Sequence, residues 1–256
     1  MFSYNKFIFS HDLFGVGVKA LIFSLTLAAV YNYRSFWSFF FFIAVALYFY
    51  FNPFFEAKKY FSSFLIFLVI ALLTANYLPV IAGKWNFFTA VLFGLLFFLF
   101  LGIKNLVFIN RSLIYEFVNN FLFFSLFIIF FLFNKSNWFF IEYSAAFLAI
   151  FLLFRNFLFL RDFQREIQAP VSLISAKINL FSASLAVLTS QFILAAAYLP
   201  IGFLNLAAVS LVAVLALKDL TISHLYGNLN RPAILKNATM VLIFSVIIFI
   251  ASKWQP

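Results

Sequence analysis

The chain has 256 residues, of which 66% are hydrophobic and 9% charged, with a mean hydropathy of +1.11. A soluble domain needs about 25% charged residues to cover its surface, so this composition excludes an aqueous globular protein and makes lipid the main solvent. The formal net charge of +10 would suggest nucleic acid in a soluble protein. Here the basic residues flank apolar stretches, where topology and attraction to anionic headgroups account for them, and no nucleic-acid partner is expected.

Apolar stretches near the ~20 residues that cross a ~30 Å hydrocarbon core follow one another along the chain. They run Leu13 to Tyr33, Phe36 to Phe55, Tyr60 to Ile81, Trp85 to Ile103, Phe117 to Phe133, Trp138 to Phe154, Ile178 to Leu199, Ile201 to Leu217 and Ala233 to Ala251. An unpaired N–H or C=O in hydrocarbon costs several kcal/mol, and these runs lack the alternation of a transmembrane barrel, so helices are expected. The expected fold is an all-α integral membrane protein, a polytopic bundle of about nine transmembrane helices in a single domain over 1–256. The number falls to eight if the first span or the 178–217 hairpin is atypical. Lys19 lies six residues into the first span, where its stem could let the ammonium reach the interface. Little more than Pro200 separates the seventh span from the eighth, so those two could form a re-entrant hairpin.

Two compositional parts are visible: a Phe-rich part, 1–160, and a small-residue-rich part, 161–256. Of the 45 Phe, 39 fall in the first part and 6 in the second. Phe suits a lipid-facing surface, whereas small residues let helices approach closely. Ser182, Ala186 and Ser190, spaced four apart, should form one tightly packed face of the seventh helix.

Lys and Arg fall unevenly into alternate gaps. Lys6, Lys19, Lys58, Lys59, Lys104, Arg111, Arg155, Arg161, Arg165, Lys177, Lys218, Arg231 and Lys236 share one side; Arg34, Lys84, Lys135 and Lys253 share the other. By the positive-inside rule the first side is cytoplasmic. That places the protein in the plasma (inner) membrane with its N-terminus cytoplasmic, its C-terminus outside, and anionic headgroups against its basic face. The start of the chain lacks a short apolar region followed by a small-residue cleavage site, so no cleaved leader is expected.

A weak internal repeat accompanies the charges. Tyr77-Leu78-Pro79-Val80 ends the third span and Tyr198-Leu199-Pro200-Ile201 the seventh. Each is followed by one further span and a basic-polar-apolar triplet, Lys104-Asn105-Leu106 or Lys218-Asp219-Leu220, and the sixth span ends similarly in Arg155-Asn156-Phe157. The pattern suggests repeated helical hairpins whose cytoplasmic ends carry a cation at headgroup level, complementing the helix dipole. Lys104, Asn105, Arg155, Asn156, Lys218 and Asp219 are therefore the candidate polar site.

Other chemistry is sparse. Glu142, Asn119, Asn120, Gln191 and Asn205 are the remaining polar residues within spans. No cysteine is present to form disulfides or thiolate sites, and His11 and His224 lie in different cytoplasmic segments. No clustered carboxylates, G-x-S-x-G or Gly-rich phosphate loop appears, and no catalytic residue, metal or cofactor is expected. Two aqueous connectors, Arg161 to Gln168 as a short interfacial helix and Leu220 to Asn230 with a turn at Gly227, could receive a protein partner or an anionic headgroup, and a homo-oligomer stays open. Three classes of function stay open: a non-enzymatic membrane scaffold or assembly component, a small-solute or lipid transporter with a cavity lined by Gln191 and Asn205, and a lipid-modifying enzyme.

Overall fold

The computed structural model describes residues 2–53, 57–82, 86–133, 139–162 and 171–252. Among the described residues all regular structure is helical. The helices are α1 (Phe2–Tyr33), α2 (Phe36–Phe51), α3 (Ala57–Ala82), α4 (Asn86–Lys104), α5 (Arg111–Phe133), α6 (Phe139–Asp162), α7 (Val171–Ala196), α8 (Phe203–Leu225) and α9 (Arg231–Ala251). Eight of them are long and apolar enough to cross a membrane, as a polytopic helical bundle requires; α2, with 16 residues, is the short one. The atypical span is thus the second, while the first span and both helices of the 178–217 hairpin have full length. The expected end at Phe55 is brought forward to Phe51 because a residue preceding proline is pushed out of the α region. Asn52, before Pro53, has φ −109° and ψ 107°.

The chain packs as two units, Met1–Asn119 and Asn120–Pro256, with the division inside α5. In the first unit α1 packs against α2, α3 and α4. Four of these helices each send a phenylalanine to one buried cluster. Phe23 of α1 stacks on Phe97 of α4 at 4.2 Å between ring centroids and meets Phe42 of α2 at 5.0 Å and Phe67 of α3 at 5.7 Å. Lipid tails are as apolar as these rings, so burial alone drives little association. Ring-to-ring geometry contributes about 0.5–1.5 kcal/mol per pair beyond burial. The Phe-rich part therefore does more than face lipid: Phe36, Phe40 and Phe88 are exposed, but Phe23, Phe42, Phe64, Phe67, Phe97 and Phe100 form the interior.

A second device joins α1 to α4. Ala20 and Ser24 on α1 oppose Ala90 and Gly94 on α4, each pair four residues apart on its helix. The Ser24 hydroxyl donates to the Ala90 carbonyl at 2.9 Å. A Cβ on Gly94 would sit 2.8 Å from the Ser24 Cβ, so only glycine permits this approach.

In the second unit α7 packs on α6 and α8, and α8 on α9. The expected small face is buried: Ser182, Ala186 and Ser190 lie inside, and the two hydroxyls turn back to Ile178 and Ala186 carbonyls at 2.7 Å each. By contrast α9 is an edge helix, with 6% of its span buried against 28–50% in the others. Asn230 caps its start by accepting from the Ala233 N–H at 3.0 Å.

The repeat does not occupy equivalent places. Tyr77-Leu78-Pro79-Val80 lies within α3, whereas Tyr198-Leu199-Pro200-Ile201 follows α7. Lys104 is the last residue of α4, but Arg155 and Lys218 stand inside α6 and α8, which continue to Asp162 and Leu225. Two of the three triplets are therefore not helix ends. Gly227 does form the expected turn, at φ +68°. Of the expected interfacial helix, Arg161 and Asp162 belong to α6, and 163–168 lie outside the described residues, as does Lys135.

Candidate functional site

Both triplet lysines are buried, in unlike surroundings. The short helix α2 sets up the first. A tight connection at Arg34 and Ser35 turns the chain back so that α2 runs beside α1; Ser35 caps α2 by accepting from the Ser38 N–H. Sixteen residues rise about 24 Å. The end of α2 accordingly comes level with Lys19, whose Nζ donates to the Asn52 carbonyl at 2.5 Å. Lys19 is six residues into the α1 span, which begins at Leu13. This is about 9 Å along the helix axis. The last carbonyls of α2 therefore lie beside the apolar run of α1, where the helix itself leaves them without donors.

Lysines receive them instead. Lys104 is fully buried, and its ammonium donates to the Tyr50 carbonyl and to the Pro53 carbonyl, the latter at 2.7 Å. It also lies 5.3 Å from the centre of the Tyr50 ring. Two cations thus converge on the negative end of one helix, where the aligned peptide dipoles favour positive charge. Lys19 is half-buried and turns its ammonium to the carbonyl of the exposed Asn52. Tyr50 completes the junction: its ring stacks on Phe64 at 3.9 Å and its hydroxyl donates to the Ala57 carbonyl at 2.7 Å. Nearby, Ser63 and Tyr115 share a buried hydrogen bond of 2.8 Å.

The end of α4 is shaped to deliver Lys104. Asn105 is half-buried, and Leu106 adopts φ +61°. The Val107 N–H returns to the Gly102 carbonyl at 2.9 Å and the Leu106 N–H to the Ile103 carbonyl at 3.4 Å. That is the Schellman pattern, with leucine in the left-handed position usually held by glycine. Phe108 folds back over Gly102, where a Cβ would lie 2.2 Å from the ring.

In the second unit Lys218 is 3% exposed. Its ammonium donates to Asn120 Oδ1 at 2.6 Å and sits 4.4 Å from the Phe157 ring and 4.7 Å from the Phe123 ring. Three helices, α5, α6 and α8, thereby meet around one cation. Asp219, the next residue, points elsewhere and accepts from Asn237 Nδ2 of α9 at 2.8 Å; the same amide also donates to the Ala233 carbonyl at 3.0 Å. Asn237 is the buried residue of α9, so this bond fixes the rotation of that helix.

Of the six residues singled out from sequence, Lys104 and Asn105 belong to the first unit and Arg155, Asn156, Lys218 and Asp219 to the second. Arg155 is exposed and Asn156 half-buried. Sequence reasoning missed Tyr50, Asn52 and Pro53, which act mainly through backbone carbonyls that no side-chain pattern advertises. The available signal was Asn52-Pro53, which cuts the second span short. Gln191 is exposed on α7 and Asn205 half-buried on α8, so Gln191 does not line an interior cavity. Glu142 lies in the first turn of α6, half-buried, where the helix dipole favours a carboxylate. His224 meets the Phe181 ring at 5.8 Å. Among the described residues no group of three or more His, Asp or Glu is placed to hold a metal ion. Comparison with protein-family models, curated proteins and solved structures gives no match.

Proposed function

We propose that this chain is a non-enzymatic, multi-pass scaffold or assembly component of the plasma (inner) membrane, with its N-terminus cytoplasmic, its C-terminus outside and its basic face against anionic headgroups. The observation that carries the reading is how its buried charges are used. Lys104 fastens α4 to the end of α2 and Lys218 joins α8 to α5 and α6, while the exposed Asp219 is bonded to α9. Each of these three groups holds one helix to another, which is the economy of a rigid framework. In a transporter or enzyme such groups would face a substrate path, as intramembrane charges commonly do.

The test is isolation of the full chain from native membranes in polymer-bounded nanodiscs, followed by mass measurement and proteoliposome assays. The expected result is a stoichiometric complex with another membrane protein and no solute flux or lipid turnover. A lone chain in lipid that moves a solute or converts a lipid would overturn the reading. Orientation is checked separately: a reporter active only outside should work when fused after Pro256 and fail after Gln168.

A further inference from the structure

Where α1 ends and α4 begins, hydroxyls from three helices of the first unit face one another. Tyr31 of α1 is 3% exposed, and its hydroxyl faces those of Thr74 on α3 and Thr89 on α4. It closes a hydrogen bond with neither, and its oxygen is shielded from solvent. Both threonine hydrogens are already committed, Thr74 to the Ala71 carbonyl and Thr89 to the Asn86 carbonyl, at 2.8 Å each. One turn before Thr89 on α4, the side-chain oxygen of Asn86 is likewise buried without a donor. The junction therefore presents lone pairs from Tyr31, Thr74, Thr89 and Asn86, but only one uncommitted hydroxyl hydrogen, that of Tyr31.

We propose that one bound water molecule joins α1, α3 and α4 at this junction. A buried polar group in a folded protein is paired with protein or with ordered water. Serine and threonine can turn back to a carbonyl of their own helix, as Thr74 and Thr89 do. Tyrosine cannot, because its hydroxyl stands at the far end of a rigid ring. Water brings two hydrogens and two lone pairs and settles with about three partners. It accepts from the Tyr31 hydroxyl and donates to the oxygens of Thr74 and Thr89, or to Asn86 Oδ1 in place of one of them. The guest is neutral because all four groups are uncharged, and the negative end of the α1 dipole is offset by the positive start of α4. Nothing among them compensates the dehydration of an ion.

The experiment is radiolytic labelling of the full chain in phosphatidylethanolamine and phosphatidylglycerol vesicles. X-ray pulses turn water held beside a side chain into hydroxyl radical, and the oxidised residues are mapped by mass spectrometry. Tyr50 is the internal reference, because it is fully buried and its hydroxyl already donates to the Ala57 carbonyl. The expected result is oxidation of Tyr31 several-fold faster than of Tyr50. Thr74→Val combined with Thr89→Val, which removes two acceptors with little change of shape, should bring Tyr31 down to the Tyr50 rate. Thr89→Ser, which keeps a hydroxyl, should leave it fast. Equal rates for Tyr31 and Tyr50 in the unsubstituted chain overturn the proposal, as does fast oxidation of Tyr31 that the double variant leaves unchanged. The comparison in the unsubstituted chain decides the question should the double variant fail to accumulate. A second arm follows unfolding in sodium, potassium and choline chloride at equal ionic strength. The same midpoint in all three is expected, whereas stabilisation specific to sodium or potassium would assign the site to a cation and overturn the water.

Discussion

The two buried lysines began as members of one sequence pattern, a cation followed by a polar and an apolar residue, yet they do different work. Lys104 is the final residue of its helix and satisfies backbone carbonyls of another helix. Lys218 lies two turns inside α8 and is held by a side-chain amide and two aromatic faces. Position relative to helix ends decides which. A helix that stops short leaves orphan carbonyls that only a donor from elsewhere can satisfy, and α2 is such a helix. Around Lys218 no helix ends, so the cation is met by side chains that evolution can exchange.

That difference is sharpest when each lysine is removed. Lys104→Met should be the most damaging substitution, because the Tyr50 and Pro53 carbonyls then lose their donor. An unsatisfied buried group costs about 1–3 kcal/mol, and with the Tyr50 carbonyl buried and the Pro53 carbonyl only partly so the total is about 2–4 kcal/mol. Removing the charge also removes its own desolvation cost, which sets the lower end of that range. Unfolding in mixed detergent and dodecyl sulfate micelles reads the loss, and hydrogen exchange should show faster opening at the end of α2. Because the acceptors are backbone, no second substitution at those residues repairs the damage. A loss near zero would mean that the carbonyls find other donors and that Lys104 is not the cap.

Lys218→Met should cost less, about 1–3 kcal/mol, from the stranded Asn120 amide oxygen and the lost attraction to two rings. Here repair is possible. Replacing both partners of a buried polar pair by apolar groups of similar shape can be nearly neutral, so adding Asn120→Leu should restore most of the stability in the same unfolding assay. If the double variant is weaker than Lys218→Met alone, Asn120 serves another partner and the contrast with Lys104 fails.

Much of this architecture was legible in the sequence and some could not be. The spans were readable because lipid demands long apolar runs, and the buried Ser182, Ala186 and Ser190 face followed from helical spacing. Lys104, Lys218 and Asp219 stood out as charges at span ends. Their partners did not, because Tyr50, Asn52 and Pro53 contribute carbonyls and every residue has one. The same limit hid the role of Lys19, which depends on where α2 stops and hence on the three-dimensional register of α1 and α2. Phe was misread in part because composition alone cannot say which rings face lipid: Phe40 and Phe42, both on α2, differ in the side of the helix they occupy, one exposed and the other buried.

The smallest expected effect concerns the ends of α4 and α8, which close with the same hydrogen-bond pattern and different residues. In α8 the left-handed position is Gly227, at φ +68°, with the Asn228 N–H returning to Ser223 and the Gly227 N–H to His224. In α4 it is Leu106, at φ +61°. A left-handed conformation costs an L-residue roughly 1–2 kcal/mol that glycine avoids. Glycine in turn gives the unfolded chain more freedom, worth about 0.4–1 kcal/mol. Leu106 is 40% exposed and loses little packing when truncated. Leu106→Gly should therefore stabilise the chain by about 0.5–1 kcal/mol, and Gly227→Leu should destabilise it by a similar amount. Opposite signs in the same unfolding assay are the expected outcome. If Leu106→Gly destabilises instead, the leucine side chain is holding the end of α4 in place for Lys104, and its left-handed strain belongs to the same device that caps α2.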